Sequence, residues 1–173
     1  AEEEFTITVS ASGINVSETI TVTTPLVPLP VFDVLHTVAN DGTESLKLLW
    51  DVDANVSSYN IEVSFNGGTT YEVLSQNNTT GEIVIDSYLG KITGKEKFKV
   101  SVISADEEKY ISITNEIIDY ALPLFAGKVG NAYYVSNERH FKNIVNAQGN
   151  AFLLTNDISL GTDSTPHKPL TLL

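Results

Sequence analysis

Neither cysteine nor methionine occurs anywhere in the sequence. The first absence excludes disulfides and thiolate metal sites, and by itself it does not assign a compartment. The second means that no initiator is present, so the sequence is expected to be a processed form or a piece of something longer. Basic residues are scarce: 10 Lys and Arg stand against 22 Asp and Glu, a net charge of −12. A chain so acidic repels phosphate backbones, and its densest basic run, KITGKEKFK (91–99), reads as an exposed strand edge and turn, which argues against a nucleic-acid role. Long apolar runs are missing as well. No stretch approaches the roughly 20 residues a helix needs to cross a membrane. What is present, 42% hydrophobic and 18% charged residues, is the composition of a folded globular protein.

The apolar residues alternate with period two over most of the chain. In EFTITVSASGINVSETITVTT, Phe5, Ile7 and Val9 precede a Ser12-Gly13 turn and Ile20 and Val22 follow it, which predicts a β-hairpin with one buried face. PLVPLP (25–30) holds three prolines in six residues and reads as an interdomain joint. Strands are then expected near 32–38, 45–50, 59–65, 71–75, 82–86, 97–104 and 111–119, separated by clusters such as ANDGTE, DANVSS and QNNTTG. Short alternating strands at this spacing, with no helical stretch among them, predict a β-sandwich over 28–122. The texture changes after residue 122. SNERHFKNIVNAQG (136–149) predicts one helix over about 136–148. Ser136 stands as its cap, Phe141, Ile144 and Val145 as its apolar stripe, and Gly149 as its stop. Short strands flank it, so 123–173 reads as a β-α-β segment of an incomplete module, and 1–27 as a hairpin ending a preceding domain.

The stretch LLWDVDANVSSYNIEVSFNGG (48–68) admits two chemistries. Asp51, Asp53, Asn55 and Glu62 occupy the first, third, fifth and twelfth positions of a calcium loop. Its sixth position, however, is Val56, where the loop's sharp bend needs glycine, and the flanks alternate as strands. In YNIEVSF, Tyr59, Ile61, Val63 and Phe65 share one side, which turns Glu62 to the other. The alternative reading fits each position: Leu46, Leu48 and Trp50 point into a core, DVDANVSS crosses between two sheets, and Tyr59 opens the next strand. That leaves at most a weak ion near Asp51 and Asp53.

On Trp50 and Tyr59 the sequence resembles a fibronectin type III domain, an immunoglobulin-like β-sandwich. A second match is Ile92, the turn TGKEK, then Phe98, Val100 and Val102. The family usually has tyrosine at the Phe98 position, with its hydroxyl bonded back to the turn; phenylalanine forgoes that bond. The resemblance spans about 30–121 and implies a structural core of Trp50, Tyr59, Phe98, Val100 and Val102. Residues 130–165 resemble the N-terminal cap of a parallel β-helix in bacterial surface proteins carrying GLUG-type repeats, through Tyr134, Phe141, Ile144, Leu154, Thr155, Asp157, Ile158 and Leu160. That likeness implies that Asp157 is a structural carboxylate bonded to backbone amides.

Catalytic signatures are lacking. His36, His140 and His167 fall in separate segments without metal-ligand spacing; His140 reads as a surface or cap residue and His36 as packed or half-exposed. No nucleophile elbow or phosphate loop occurs, and pairs such as Glu107-Glu108 read as solvated charge. No catalytic, cofactor or metal residue is therefore assigned. The expected function is that of a non-catalytic spacer, stalk or adhesive module of a secreted, cell-surface bacterial protein, with a protein or glycan ligand at the surface. Two alternatives stay open. One is an accessory module of a carbohydrate-binding or polysaccharide-degrading protein, with Tyr71, Tyr88 and Tyr110 as a stacking row. The other is a subunit that self-associates through strand edges, with the apolar end at Leu170, Leu172 and Leu173 leaving an edge open.

Overall fold

The computed structural model describes residues 2–161. The side chains of Phe5, Ile7, Val9, Ile20 and Val22, together with His167, Leu170, Leu172 and Leu173, lie outside the described residues. The fold is mainly β. Strands β1 (Glu2–Ala11) and β2 (Ile14–Thr23) form an antiparallel hairpin closed at Ser12-Gly13, where Gly13 takes a φ of 84°.

Seven strands follow, one for each alternating stretch of the sequence. They are β3 (Phe32–Val38), β4 (Glu44–Trp50), β5 (Val56–Ser64), β6 (Glu72–Asn78), β7 (Glu82–Val84), β8 (Lys97–Ser104) and β9 (Ile113–Asp119). They pair into two antiparallel sheets, ordered β3-β4-β7 and β6-β5-β8-β9. The inner faces share one core. Phe32, Leu46, Leu48, Trp50 and Ile83 enter it from the first sheet, and Tyr59, Ile61, Val63, Phe98, Val100 and Val102 from the second. The arrangement is compatible with a β-sandwich. Trp50 meets Phe32 and Tyr59 edge-on, with ring centroids 5.4 and 5.5 Å apart. The proline-rich segment contributes to the same body: Val27 is buried, donates its amide to Ile111 O, and is preceded by Pro25, whose carbonyl accepts from Ile111.

At the turn before Phe98 a buried carboxylate takes the turn's amides. Glu96 is buried, and its Oε1 accepts from the amides of Thr93 at 2.6 Å and Gly94 at 3.1 Å. The Asp51–Asn55 crossover is a local turn: Asp53 Oδ1 accepts from the backbone and side chain of Asn55, and the Asp53 amide donates to the Tyr59 hydroxyl. Glu62 instead pairs with Lys99 at 2.8 Å on the outer face of the second sheet.

Beyond Leu122 lie β10 (Lys128–Val129), β11 (Ala132–Val135) and β12 (Ala151–Leu154), in that order within one sheet. β11 and β12 are parallel, Ala132 beside Ala151, so the chain between them must cross over. The crossover holds helix α1 (Glu138–Asn143) and a 3₁₀ turn over Ile144–Asn146, shorter than the sequence predicted. The cap is Asn137, not Ser136: its side chain accepts the His140 amide at 2.9 Å. The expected apolar stripe is not the buried side. Val145 is exposed, and the buried residues of α1 are Arg139, His140 and Asn143. The sheet's own apolar contacts are few, with Phe125 against Tyr133 at 4.8 Å and Phe152 at 5.6 Å, beside the buried Val135.

Ile61 is fully buried between the two sheets. Ile61→Ala is expected to cost about 2–5 kcal/mol in chemical denaturation, the lost burial plus the cavity left behind. A negligible cost would mean that the two sheets do not share this core.

Candidate functional site

Period-two alternation carries a carboxylate to the end of the core. On β4 the phase that turns Leu46, Leu48 and Trp50 inward also turns Glu44 inward, one step before Leu46. On β3 the phase of Phe32 and Val34 carries His36, whose cross-strand neighbour is Leu46. The Glu44 side chain is only 4% exposed and that of His36 12%. Helix α1 lies against this end of the body, and its polar face supplies what Glu44 lacks.

Glu44 Oε1 accepts from His36 Nε2 at 2.6 Å, from His140 Nε2 at 2.9 Å and from Arg139 Nη2. Its Oε2 accepts from Arg139 Nε at 2.8 Å and from Asn137 Nδ2 at 3.1 Å. The remaining Arg139 nitrogen, Nη1, donates to Pro123 O at 2.8 Å, and Asn143 reaches Leu124 O. Asn137 also donates to Gly42 O. Gly42 has a φ of 84°, and a Cβ there would collide with the Ser136 carbonyl oxygen. Burial alone would raise the Glu44 pKa above its ordinary 4.5, but the donors Arg139, His140 and His36 outweigh it and hold the carboxyl well below the usual range.

His36, Glu44 and His140 offer three metal-ligand atoms within 4.8 Å of one another. Two histidines and a carboxylate are a common donor set for a transition metal. The proton inventory argues against that use. The Ser136 amide has only a hydrogen to give, and it gives it to His140 Nδ1 at 3.2 Å. Nδ1 therefore carries the lone pair, and the neutral ring keeps its proton on Nε2, where it donates to Glu44. A metal would need that nitrogen bare, and it would have to share the carboxylate with the guanidinium. The cluster acts as a polar clamp between the two-sheet body and the β-α-β unit.

Of the residues marked in the sequence, Trp50, Tyr59, Phe98, Val100 and Val102 are all buried in the shared core. Asp157 is exposed, and its neighbour Asn156 makes the bond to Ser136 O. His140, read as a surface or cap residue, is fully buried. The signal that locates the clamp is phase: Glu44 and His36 sit where the alternation calls for apolar residues. Tyr71, Tyr88 and Tyr110 each have separate neighbours. Lys99 lies over Tyr71, Tyr88 stacks on Phe65, and Tyr110 packs against the core. No family model, curated protein or solved structure matches this chain.

Glu44→Ala leaves Arg139 buried without its counter-ion and is expected to cost about 3–5 kcal/mol in chemical denaturation. Because the folded-state pKa of Glu44 is depressed, its contribution is complete above the unfolded value and is lost as pH falls below about 5. Glu44→Gln should therefore flatten the acid limb of the stability profile; an unchanged limb would refute the clamp's ionic character. Excess zinc is expected to leave the melting temperature unchanged, whereas a rise abolished by His140→Ala would mean that the rings bind metal.

Proposed function

We propose that this chain is a non-catalytic spacer of a secreted, cell-surface bacterial protein, in which a fibronectin type III-like domain and the cap of a following β-helix are held at a fixed angle. The observation that carries this reading is the Glu44 clamp. Its acceptor, Glu44, stands on β4, and its donors come from both sides of the joint: His36 from β3, and Asn137, Arg139 and His140 from the cap and first turn of α1. A guanidinium paired side-on with a carboxylate tolerates little rotation, so the clamp favours a stiff joint. The strand orders β3-β4-β7 and β6-β5-β8-β9 support the fibronectin-like half, with Trp50 ending its second strand and Tyr59 near the start of its third. Parallel pairing of β11 with β12 across a helical crossover supports the cap-like half. The acidic composition is compatible with a protein at the cell surface.

Small-angle X-ray scattering tests the reading. The intact chain is expected to fit a single arrangement of residues 28–161, and Glu44→Ala to require a spread of arrangements at a pH and temperature where both units stay folded. Equal flexibility in the two proteins would overturn it.

A further inference from the structure

A second feature lies at the same boundary, on the opposite side of β11. Tyr133 packs on Phe125 and Val135 is buried, so alternation turns Tyr134 the other way. There it walls a hollow of about 340 Å³ with Asn40 from the β3–β4 turn and Ser136, Thr155 and Asn156 from the β-α-β unit. That volume is at the small end for ligand sites and suits one ring-sized molecule.

The lining carries no charged side chain. An ionic ligand would find no counter-ion, and a purely apolar one would strand the amides and hydroxyls. The hydrogen bonds already made define what is left to offer. Ser136 Oγ and Thr155 Oγ1 are bonded to each other at 2.7 Å, and Thr155 can pass its hydrogen to Val135 O at 3.4 Å, so Ser136 Oγ keeps acceptor capacity. Asn156 spends one amide hydrogen on Ser136 O at 3.3 Å, leaving its second hydrogen and its carbonyl oxygen. The Asn40 side chain is exposed and makes no hydrogen bond among the described residues. Amides that both donate and accept, beside an aromatic ring, match a ligand with several hydroxyls on a ring that also has a C–H face.

We infer that this hollow binds a single neutral sugar ring, a hexopyranose, held by Asn40 and Asn156 and packed on Tyr134. Both units contribute to the site, so the sugar contacts each of them. The inference does not depend on the spacer reading, and its test does not use joint stiffness.

Saturation-transfer NMR on the intact chain, with D-glucose, D-galactose, D-mannose and N-acetyl-D-glucosamine offered singly, decides the matter. Transfer to at least one of them is expected, with backbone amide shifts confined to Asn40, Ser136 and Asn156 and their neighbours. Asn40→Ala, which removes no internal hydrogen bond, should leave the melting temperature unchanged and weaken binding about tenfold, the worth of a hydrogen bond or two. Tyr134→Phe should retain binding and Tyr134→Ala should lose it. Absence of transfer from all four sugars, or transfer undiminished in both Asn40→Ala and Tyr134→Ala, would overturn the assignment.

Discussion

A carboxylate inside a protein is tolerable only when its lone pairs are taken and its charge is answered, and Glu44 sets that condition for this molecule. It stands at the end of a row of core residues, in the position where the β4 alternation would continue with another leucine. Left alone there it would be a desolvated charge at the mouth of the two-sheet core, a state costing several kcal/mol. Among the described residues, the two-sheet body supplies only His36. Everything else, the guanidinium of Arg139, the Nε2–H of His140 and the amide of Asn137, arrives from the β-α-β unit. That unit in turn has a small apolar cluster around Phe125 and few other means of burying its helix. Each half is completed by the other.

An apolar contact of the same area would also hold the halves together, but it would hold them differently. Hydrophobic burial has no direction, and faces of similar shape can slide across one another. The clamp is directional. Arg139 spends Nε and Nη2 on Glu44 and Nη1 on Pro123 O, so both its rotation and its depth are fixed. Gly42 lets the β3–β4 turn approach the Ser136 carbonyl closely, and Asn137 ties that turn to the helix cap. Replacing a buried ion pair with apolar residues often leaves stability unchanged or raises it. The return for keeping one here is a single orientation.

The two-sheet body was legible in the sequence and the clamp was not, for one physical reason. Strand alternation and turn chemistry are local, so Leu46, Leu48, Trp50, Phe98, Val100 and Val102 declared their side of the sheet within a few residues. Glu44 and Arg139 stand 95 residues apart, and nothing local to either names the other. The helix was misread in a related way. The rule that an amphipathic helix buries its apolar stripe assumes an apolar partner. Here the partner surface offers a carboxylate and two carbonyl oxygens, so Arg139, His140 and Asn143 turn inward and Val145 faces solvent. The cap followed the same logic. Ser136 is buried with its hydroxyl against Thr155, which leaves Asn137 to take the helix amide.

The case for a clamp over a metal centre rests on one backbone hydrogen. His36, Glu44 and His140 have the composition and proximity of a metal site. Proximity alone cannot separate the two, because donors gathered around a carboxylate and ligands gathered around a cation occupy similar volumes. The Ser136 amide separates them. By donating to Nδ1 it leaves His140 one place for its proton, and that place faces Glu44. Both imidazoles then act as donors alongside a guanidinium, and the carboxylate that would have been the anionic ligand is the common acceptor. The same donors that let Glu44 stay ionised in the core occupy the lone pairs a cation would use.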